Sequence, residues 1–386
     1  MVVPDLIHVI TPGDHYSPRT GSATSTVAHG LSAAAQRDGS GYRPFVVLDA
    51  STMRPRYDSA TPIEYDGVPG PSRRERLTDV ALGRVGLPRR AAARYFRPAA
   101  DAIAERPPAI VLAHNAPVLA RLLRDTPHRV VLYAHNDLLG TYTRLEAART
   151  LGGVAAIVAV SDSLAERLRA QLPPHLRELV GTVGNGVDCD EFAPARSPSR
   201  VSASDPLRVL FVGRIVRDKG PDVLVQAANA LAREDLEFLI VGSQGFDRGA
   251  PMSAFEVDLR RLASSGAARI TFEPFTERRA VSDLMRSADV LVVPSRWQEP
   301  SGLTAGEGLA SGLAVVASRI GGIPEVVGPA GRYVSPDDPE ALAAVIAELA
   351  DDLALRQRLG AAARQRALEH VWSWAWSNLR AVLETV

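Results

Sequence analysis

Two carboxylates, Glu299 and Glu307, stand eight residues apart around Pro300-Ser301-Gly302-Leu303-Thr304. Pro300 suits the first turn of a helix, and Ser301-Gly302 leaves the backbone there uncovered. A helix N-terminus with open N–H groups can receive an anion or a hydroxyl. The two carboxylates could then flank one end and the side of an extended ligand. A lone glutamate on a helix is ordinarily a solvated face charge; a preceding apolar run, a proline and paired small residues favour a binding role here. A cation accompanies them. Of 44 basic residues 43 are arginine, and the single lysine is Lys219, in Gly213-Arg214-Ile215-Val216-Arg217-Asp218-Lys219-Gly220. Chance can leave one lysine in an arginine-biased chain. An ammonium, however, is a compact point charge on a flexible stem, whereas guanidinium is a broad planar fork. Beside a glycine, after an apolar strand ending in Gly-Arg, it would suit an anionic leaving group.

These residues need elements to position them. Short apolar runs recur at Leu6–Ile10, Phe45–Leu48, Ile110–Ala113, Val130–Tyr133 and Ala156–Val160, then at Leu207–Val212, Leu236–Val241, Ile270–Phe272, Val290–Val293 and Ala314–Ala317. Most lack strict alternation, as strands covered on both faces do. Helical segments such as Val27–Arg37, Asp162–Gln171, Pro221–Arg233 and Asp338–Ala350 lie between them. Strand–helix alternation in two halves predicts an α/β protein of two doubly wound, Rossmann-like domains facing across a cleft. The expected domains are 1–190 and 207–370, joined by a Pro-, Ser- and Ala-rich linker at 191–206. A final helix over Glu369–Thr385 carries Trp372, Trp374 and Trp376; its 371–386 portion is expected to pack back at the domain junction, with core burial the simpler role for the tryptophans.

Composition narrows the function classes. The 386 residues are 46% apolar and 23% charged, with no formal net charge, as expected of a globular protein rather than a nucleic-acid binder. The lone Cys189 excludes an internal disulfide and a cysteine metal cage, which fits a reducing cytoplasm. The opening residues do not read as a signal peptide, and no apolar run reaches the roughly 18 residues of a membrane span.

Taken together, the motifs resemble those of retaining glycosyltransferases of the GT-B fold, family 4 (glycosyl transferases group 1). Glu299 and Glu307 match the family's E-x7-E signature, and Gly213-Arg214 with Lys219-Gly220 match its G-R-x4-K-G segment. Val183-Gly184-Asn185-Gly186-Val187-Asp188 matches its N-G-V-D turn, Gly321-Gly322-Ile323-Pro324-Glu325 its G-G-x-P-E loop, and Val160-Ser161 its strand-end serine. The resemblance implies a nucleotide-sugar donor, taken as UDP-linked. Arg214 and Lys219 would grip its diphosphate and neutralise the departing nucleoside diphosphate. Glu307 would accept hydrogen bonds from the ribose. Glu299 would hold donor-sugar hydroxyls, aided by backbone amides around Ser301, Gly302, Leu303 and Thr304. Gly213 and Gly242 would lie along the donor, Gly242 allowing close approach of the nucleotide, with Ile270–Phe275 beneath the base. Retention is commonly explained by front-face attack, in which a leaving-phosphate oxygen takes the acceptor proton. No protein base, no cofactor and no metal are then expected, and Asp188-Cys189-Asp190 reads as structural.

In the first half, His135 aligns with the family's cleft histidine, which holds a donor-sugar hydroxyl and orients the reacting centre. A lone histidine after a strand is more often structural; His15 and His114 are weaker candidates of the same kind. The first loop, Pro12 to Ser22, lacks the family's run of glycines, with Gly21 left to serve a close backbone approach. Asp14 and Asp137 each follow a strand and could pair with an ammonium. The favoured acceptor is therefore small, polar and soluble, such as an aminocyclitol or amino sugar in antibiotic biosynthesis. Ser72–Arg97 holds eight arginines among apolar residues, and the alternative is a membrane-associated enzyme with a lipid acceptor. A sugar-nucleotide epimerase or a non-catalytic sugar-nucleotide binding protein would share the fold.

Overall fold

The computed structural model describes residues 5–195 and 206–386. The chain divides into two compact units, one formed by residues up to Gly186 together with Trp372–Val386, the other by Val187–Val371.

The first unit is built on seven parallel strands: β1 (Asp5–Val9), β2 (Arg43–Asp49), β3 (Thr61–Tyr65), β4 (Ala109–His114), β5 (Arg129–Ala134), β6 (Val154–Ala159) and β7 (Val180–Thr182). Their order is β3-β2-β1-β4-β5-β6-β7. Every residue of β1 and β4 is buried, because helices cover both faces and leave no polar side for alternation. The chain winds outward from β1 to β3, then returns to β4. Strand order therefore reverses between β1 and β4, where an open parallel sheet presents diverging loops to a ligand. The edge strand β3, Thr-Pro-Ile-Glu-Tyr, was not expected. It buries only Tyr65, and an edge tolerates Pro62, which cannot donate to a ladder.

A second correction concerns the C-terminus. The expected helix over Glu369–Thr385 is two helices, Leu353–Glu369 and Trp372–Leu383, broken at His370-Val371. Val371 there forms a bridge with Val187. The helix Trp372–Leu383 belongs to the first unit and lies against Ala23–Arg37. Gly30 makes room for it: a Cβ at that position would come within 2.2 Å of the Trp372 ring. Trp376 is buried and its Nε1 donates to Asp38 at 2.5 Å.

The second unit has six parallel strands: β8 (Leu207–Val212), β9 (Leu236–Val241), β10 (Arg269–Glu273), β11 (Val290–Val293), β12 (Ala314–Ser318) and β13 (Gly331–Val334). Their order, β10-β9-β8-β11-β12-β13, reverses between β8 and β11. The start of the expected linker belongs to this unit. Phe192 is fully buried among Leu210, Leu291 and Leu309, burial that contributes about 2 kcal/mol. The first unit thus ends at Gly186 rather than at residue 190, and 196–205 of the proposed linker lie outside the described residues.

Candidate active site

Gly213, Arg214 and Lys219 follow β8, and Glu299 with residues 300–304 follows β11, the two strands that flank the strand reversal; Gly242 follows the neighbouring β9, and the segment 270–275 runs along and past β10. After β8 the chain passes Gly213 and an exposed Arg214, then tightens into a 3₁₀ turn, Arg217–Lys219, closed by Gly220 at φ +68°. A side chain at 220 would place its Cβ 2.0 Å from the Pro294 carbonyl oxygen. Glycine is therefore required for the Lys219 turn to sit on the β11 loop. Gly242 has a packing reason to be glycine: its φ is +141° and a Cβ there would lie 1.9 Å from the Gly213 oxygen, so its absence lets the ends of β8 and β9 pack together.

The turn delivers Lys219 to Glu299. Nζ donates to Glu299 Oε1 at 2.5 Å, and Ser295 Oγ donates to the same oxygen at 2.7 Å. The ammonium lies 5.4 Å from the centroid of the Trp297 ring. Arg296, which the sequence did not single out, stitches the two loops. Its backbone N–H donates to Asp218 O, and its guanidinium holds Asp222 with bonds of 2.6 and 2.9 Å. From the other side Gly322 N–H donates to Glu299 O at 2.7 Å, which gives the G-G-x-P-E loop a physical role as a clamp on the Glu299 backbone.

The helix after Glu299 starts at Leu303, not at Pro300, and runs to Ala310. Pro300 and the buried Ser301 form the turn before it. Gly302, at φ +133°, is an N-cap without a side-chain hydrogen bond, so the first amides, at Leu303 and Thr304, receive no side-chain cap. Glu307 points inward from this helix. Its Oε1 accepts from Arg278 Nη1 at 2.5 Å, while Arg278 Nε donates to Glu191 at 3.1 Å and its guanidinium carbon lies 4.8 Å from the Phe192 ring centroid. Both glutamates thus follow one pattern: Oε1 is hydrogen bonded to a cation of the same unit, and Oε2 takes no hydrogen bond among the described residues. Arg278 was not foreseen either, since Glu277-Arg278-Arg279 reads as an ordinary charged helix start.

In Asp188-Cys189-Asp190, Asp188 Oδ1 accepts from the N–H groups of Asp190 and Glu191, a turn-holding role. Among the described residues no three His, Cys, Asp or Glu are grouped to hold a metal ion.

In the first unit the candidates do not behave alike. His135 follows β5 and is buried; its Nε2 is hydrogen bonded to His114 Nδ1 at 2.7 Å. The neighbouring Asn115, in the left-handed region at φ +52°, accepts from His135 N–H through Oδ1 at 2.7 Å. His15 turns elsewhere and accepts from Met53 N–H at 3.2 Å. Asp14 accepts from Ser22 Oγ at 2.7 Å and from His15 N–H; burial raises its pKa above the ordinary carboxylate value. Asp137 is exposed and accepts from Gln171 at 2.8 Å. Asp14 holds its own loop, whereas Asp137 ties its loop to the end of the helix Asp162–Gln171. Gly21 is exposed and precedes the N-cap Ser22; the loop's left-handed residue is Gly13, at φ +79°. Ser161 is an N-cap, accepting from Leu164 N–H. On the arginine-rich stretch, Leu77, Val85 and Leu87 are exposed beside Arg73, Arg74 and Arg84, whereas Arg89 is bound to the buried Glu146. No helix among the described residues is long and apolar enough to cross a membrane.

Burial lowers the pKa of His135 to about 3, and that of His114 also falls well below its ordinary value. The unfolded chain therefore binds more protons than the native one as pH falls below about 6.5, so the stability these neutral rings contribute is complete above that pH and is lost toward pH 3. The expected result is a melting temperature that falls across this window, with a shallower slope in His114→Phe. Equal slopes would mean that the rings are not held neutral.

Two family models match the sequence, one described as glycosyltransferase family 4 over residues 24–191 and one as glycosyl transferases group 1 over residues 194–366. The alpha-maltose-1-phosphate synthase of Mycobacterium tuberculosis is 32% identical over 287 residues, which cover 67% of this chain and 72% of that protein. A D-inositol 3-phosphate glycosyltransferase of Streptomyces avermitilis is 35% identical over 248 residues, 60% of this chain; the match spans about half (53%) of that relative's length. Among solved structures, Anabaena HepE in complex with UDP-glucose shares the fold with a TM-score of 0.73 at 17% identity, over 99% of this chain and 100% of that one.

Proposed function

The chain belongs to the glycosyl transferases of group 1 in glycosyltransferase family 4, a GT-B family, and from that membership we propose that it moves a sugar, with retention, from a UDP-linked donor to a hydroxyl of a small polar acceptor. The observation that carries this reading is the paired arrangement of Lys219–Glu299 and Arg278–Glu307 beside an uncapped helix start. An ammonium has three N–H donors. Glu299 takes one, which leaves two for oxygens of the diphosphate, and the exposed Arg214 adds a second positive charge. The uncommitted Oε2 of Glu307 accepts from ribose hydroxyls and that of Glu299 from the donor sugar. HepE, which shares the fold, holds UDP-glucose in its structure; in this protein the donor would enter at the strand reversal between β8 and β11.

In the reaction the bond from the anomeric carbon to the phosphate oxygen breaks while an acceptor oxygen bonds to the same face. The acceptor proton passes to the leaving phosphate oxygen, so no side chain needs to act as base. His135 steadies a hydroxyl of the sugar. Lys219 and Arg214 supply the charge that a divalent ion supplies in other transferases, and no metal or cofactor is required. A cytoplasmic setting fits a free, buried thiol at Cys189.

For the acceptor, the relatives' names carry a phosphorylated cyclitol and a phosphorylated sugar, which supports a hydroxyl-rich molecule; the choice of an aminocyclitol or amino sugar, and with it a role in antibiotic biosynthesis, rests on Asp14 and Asp137 alone. Asp14 and Asp137 would share their carboxylates with it, since each already accepts hydrogen bonds from the first unit. Exposure of Leu77, Val85 and Leu87 among arginines favours, as a second reading, a lipid acceptor at an anionic membrane. Sedimentation with anionic vesicles, lost on replacing these three residues, would support it.

Glu307→Ala tests the donor site. Hydrogen bonds to a charged group contribute about 1.5–3 kcal/mol, so UDP affinity measured by calorimetry should fall about 10- to 100-fold. Turnover at saturating donor should change little, because ribose contacts are alike in ground and transition states. A loss confined to turnover would contradict the ribose role.

A further inference from the structure

Three buried imidazoles form a line across the centre of the first sheet. His8 on β1, His114 at the end of β4 and His135 after β5 come from adjacent strands. His8 Nδ1 lies 2.9 Å from His114 Nε2, and His114 Nδ1 lies 2.7 Å from His135 Nε2. The rings stack, with centroids 5.2 Å apart for the first pair and 5.0 Å for the second. Tyr133 stacks on His114 and His135. No carboxylate is hydrogen bonded to any of the three among the described residues, and burial lowers the pKa of each ring.

A neutral imidazole has one N–H and one bare nitrogen. His114, in the middle, must therefore donate at one end and accept at the other. The line then has two arrangements, with the proton on Nδ1 in all three rings or on Nε2 in all three. The far end distinguishes them. His8 Nε2 is sealed and finds no partner among the described residues. Protons on Nε2 would strand an N–H there, whereas protons on Nδ1 leave a bare acceptor, and buried N–H groups without a partner are the rarer of the two. With protons on Nδ1, His8 donates to His114, His114 donates to His135, and His135 keeps an Nδ1–H that no group among the described residues accepts.

We propose that His8 and His114 are positioning residues that fix the tautomer of His135, so that it presents an Nδ1–H donor, rather than a bare nitrogen, to a sugar or phosphate oxygen of the substrate. The role of the tautomer in turnover rests on the glycosyl-transfer reading above; the tautomer itself does not. A donor at this place can hold a hydroxyl oxygen or an oxygen gaining negative charge, which a bare nitrogen would repel.

The test is long-range ¹H–¹⁵N NMR of the full chain labelled at histidine, at pH 7.5 and without ligand. His8, His114 and His135 should all show Nδ1 protonation. Placing an acceptor at the far end should invert the line: in His8→Asp the carboxylate takes the place of Nδ1 and accepts an N–H from His114 Nε2, so His114 and His135 should both move to Nε2 protonation. Turnover should then fall about 10- to 100-fold, as when groups that orient a metal-bound imidazole through its second nitrogen are replaced, with donor KM within twofold. Nε2 protonation of His135 in the unmodified protein, a result that needs no variant to fold, or unchanged tautomers in a folded His8→Asp, would overturn the proposal. Altered tautomers with unaltered turnover would overturn its functional half. Absence of transfer in the unmodified protein would count against the glycosyl-transfer reading while leaving the tautomer result to stand.

Discussion

Lys219→Ala is expected to lower turnover about 10²- to 10³-fold while donor KM changes only a few-fold. A preorganised charge aimed at a developing anion contributes about 3–4 kcal/mol to the barrier, and a loss of kcat without a matching change in KM marks an interaction made chiefly in the transition state. The same substitution removes the cation from Glu299, whose side chain is nearly buried and would keep only Ser295. Stability must therefore be separated from chemistry. Lys219→Met combined with Glu299→Gln takes away both charges and should regain the melting temperature lost by the single variant, without regaining turnover. Lys219→Arg should not rescue either, because a planar fork cannot occupy the place of a point charge between Glu299 and the Trp297 ring. Near-normal turnover in Lys219→Ala would remove the leaving-group role, and the solitary lysine would then be chance.

Arg278→Ala should be among the most destabilising single changes in the second unit. Arg278 ties Glu307, 8% exposed, to Glu191, 30% exposed. Removing one partner of a buried pair costs about 3–5 kcal/mol, mainly through the charge left behind; with Glu191 partly solvated the lower end applies. Adding Glu307→Gln should recover much of the lost stability in chemical denaturation, since a neutral amide needs no cation, yet leave UDP binding weak. A double variant no more stable than Arg278→Ala would show that packing on Phe192, rather than charge, is what Arg278 provides.

The parts of this site that were legible in the sequence share a physical cause. Lys219, Glu299 and Glu307 stood out because their types and spacing are tied to short glycine-containing loops after apolar strands, and buried parallel strands announce themselves as unbroken apolar runs. The edge strands β3, β7 and β13 were not seen because they are short and partly exposed, which weakens the apolar signal. Arg296 and Arg278 were hidden among 43 arginines: nothing local separates a guanidinium that bridges loops 74 residues apart, as Arg296 does with Asp222, from one that is merely solvated. His8 was invisible for the same reason. Its partners lie on other strands, and only the order β1-β4-β5 brings them together. Pro300 was given the wrong place, and the packing of Gly242 on Gly213 went unread, because a proline or glycine signals a constraint without saying which neighbour imposes it.

The most direct measurement of the central claim follows the sugar itself. Protein is incubated with UDP-glucose and other nucleotide-sugars, labelled in the sugar, and with a panel of cyclitols, amino sugars and sugar phosphates, in the presence of EDTA; products are read by mass spectrometry and the new linkage by NMR. The account predicts one acceptor that gains a sugar mass, an equal release of nucleoside diphosphate, the donor's anomeric configuration in the product, and loss of both signals in Lys219→Ala. Transfer with inverted configuration, a strict requirement for a divalent ion, or an epimerised sugar in place of a transferred one would contradict it.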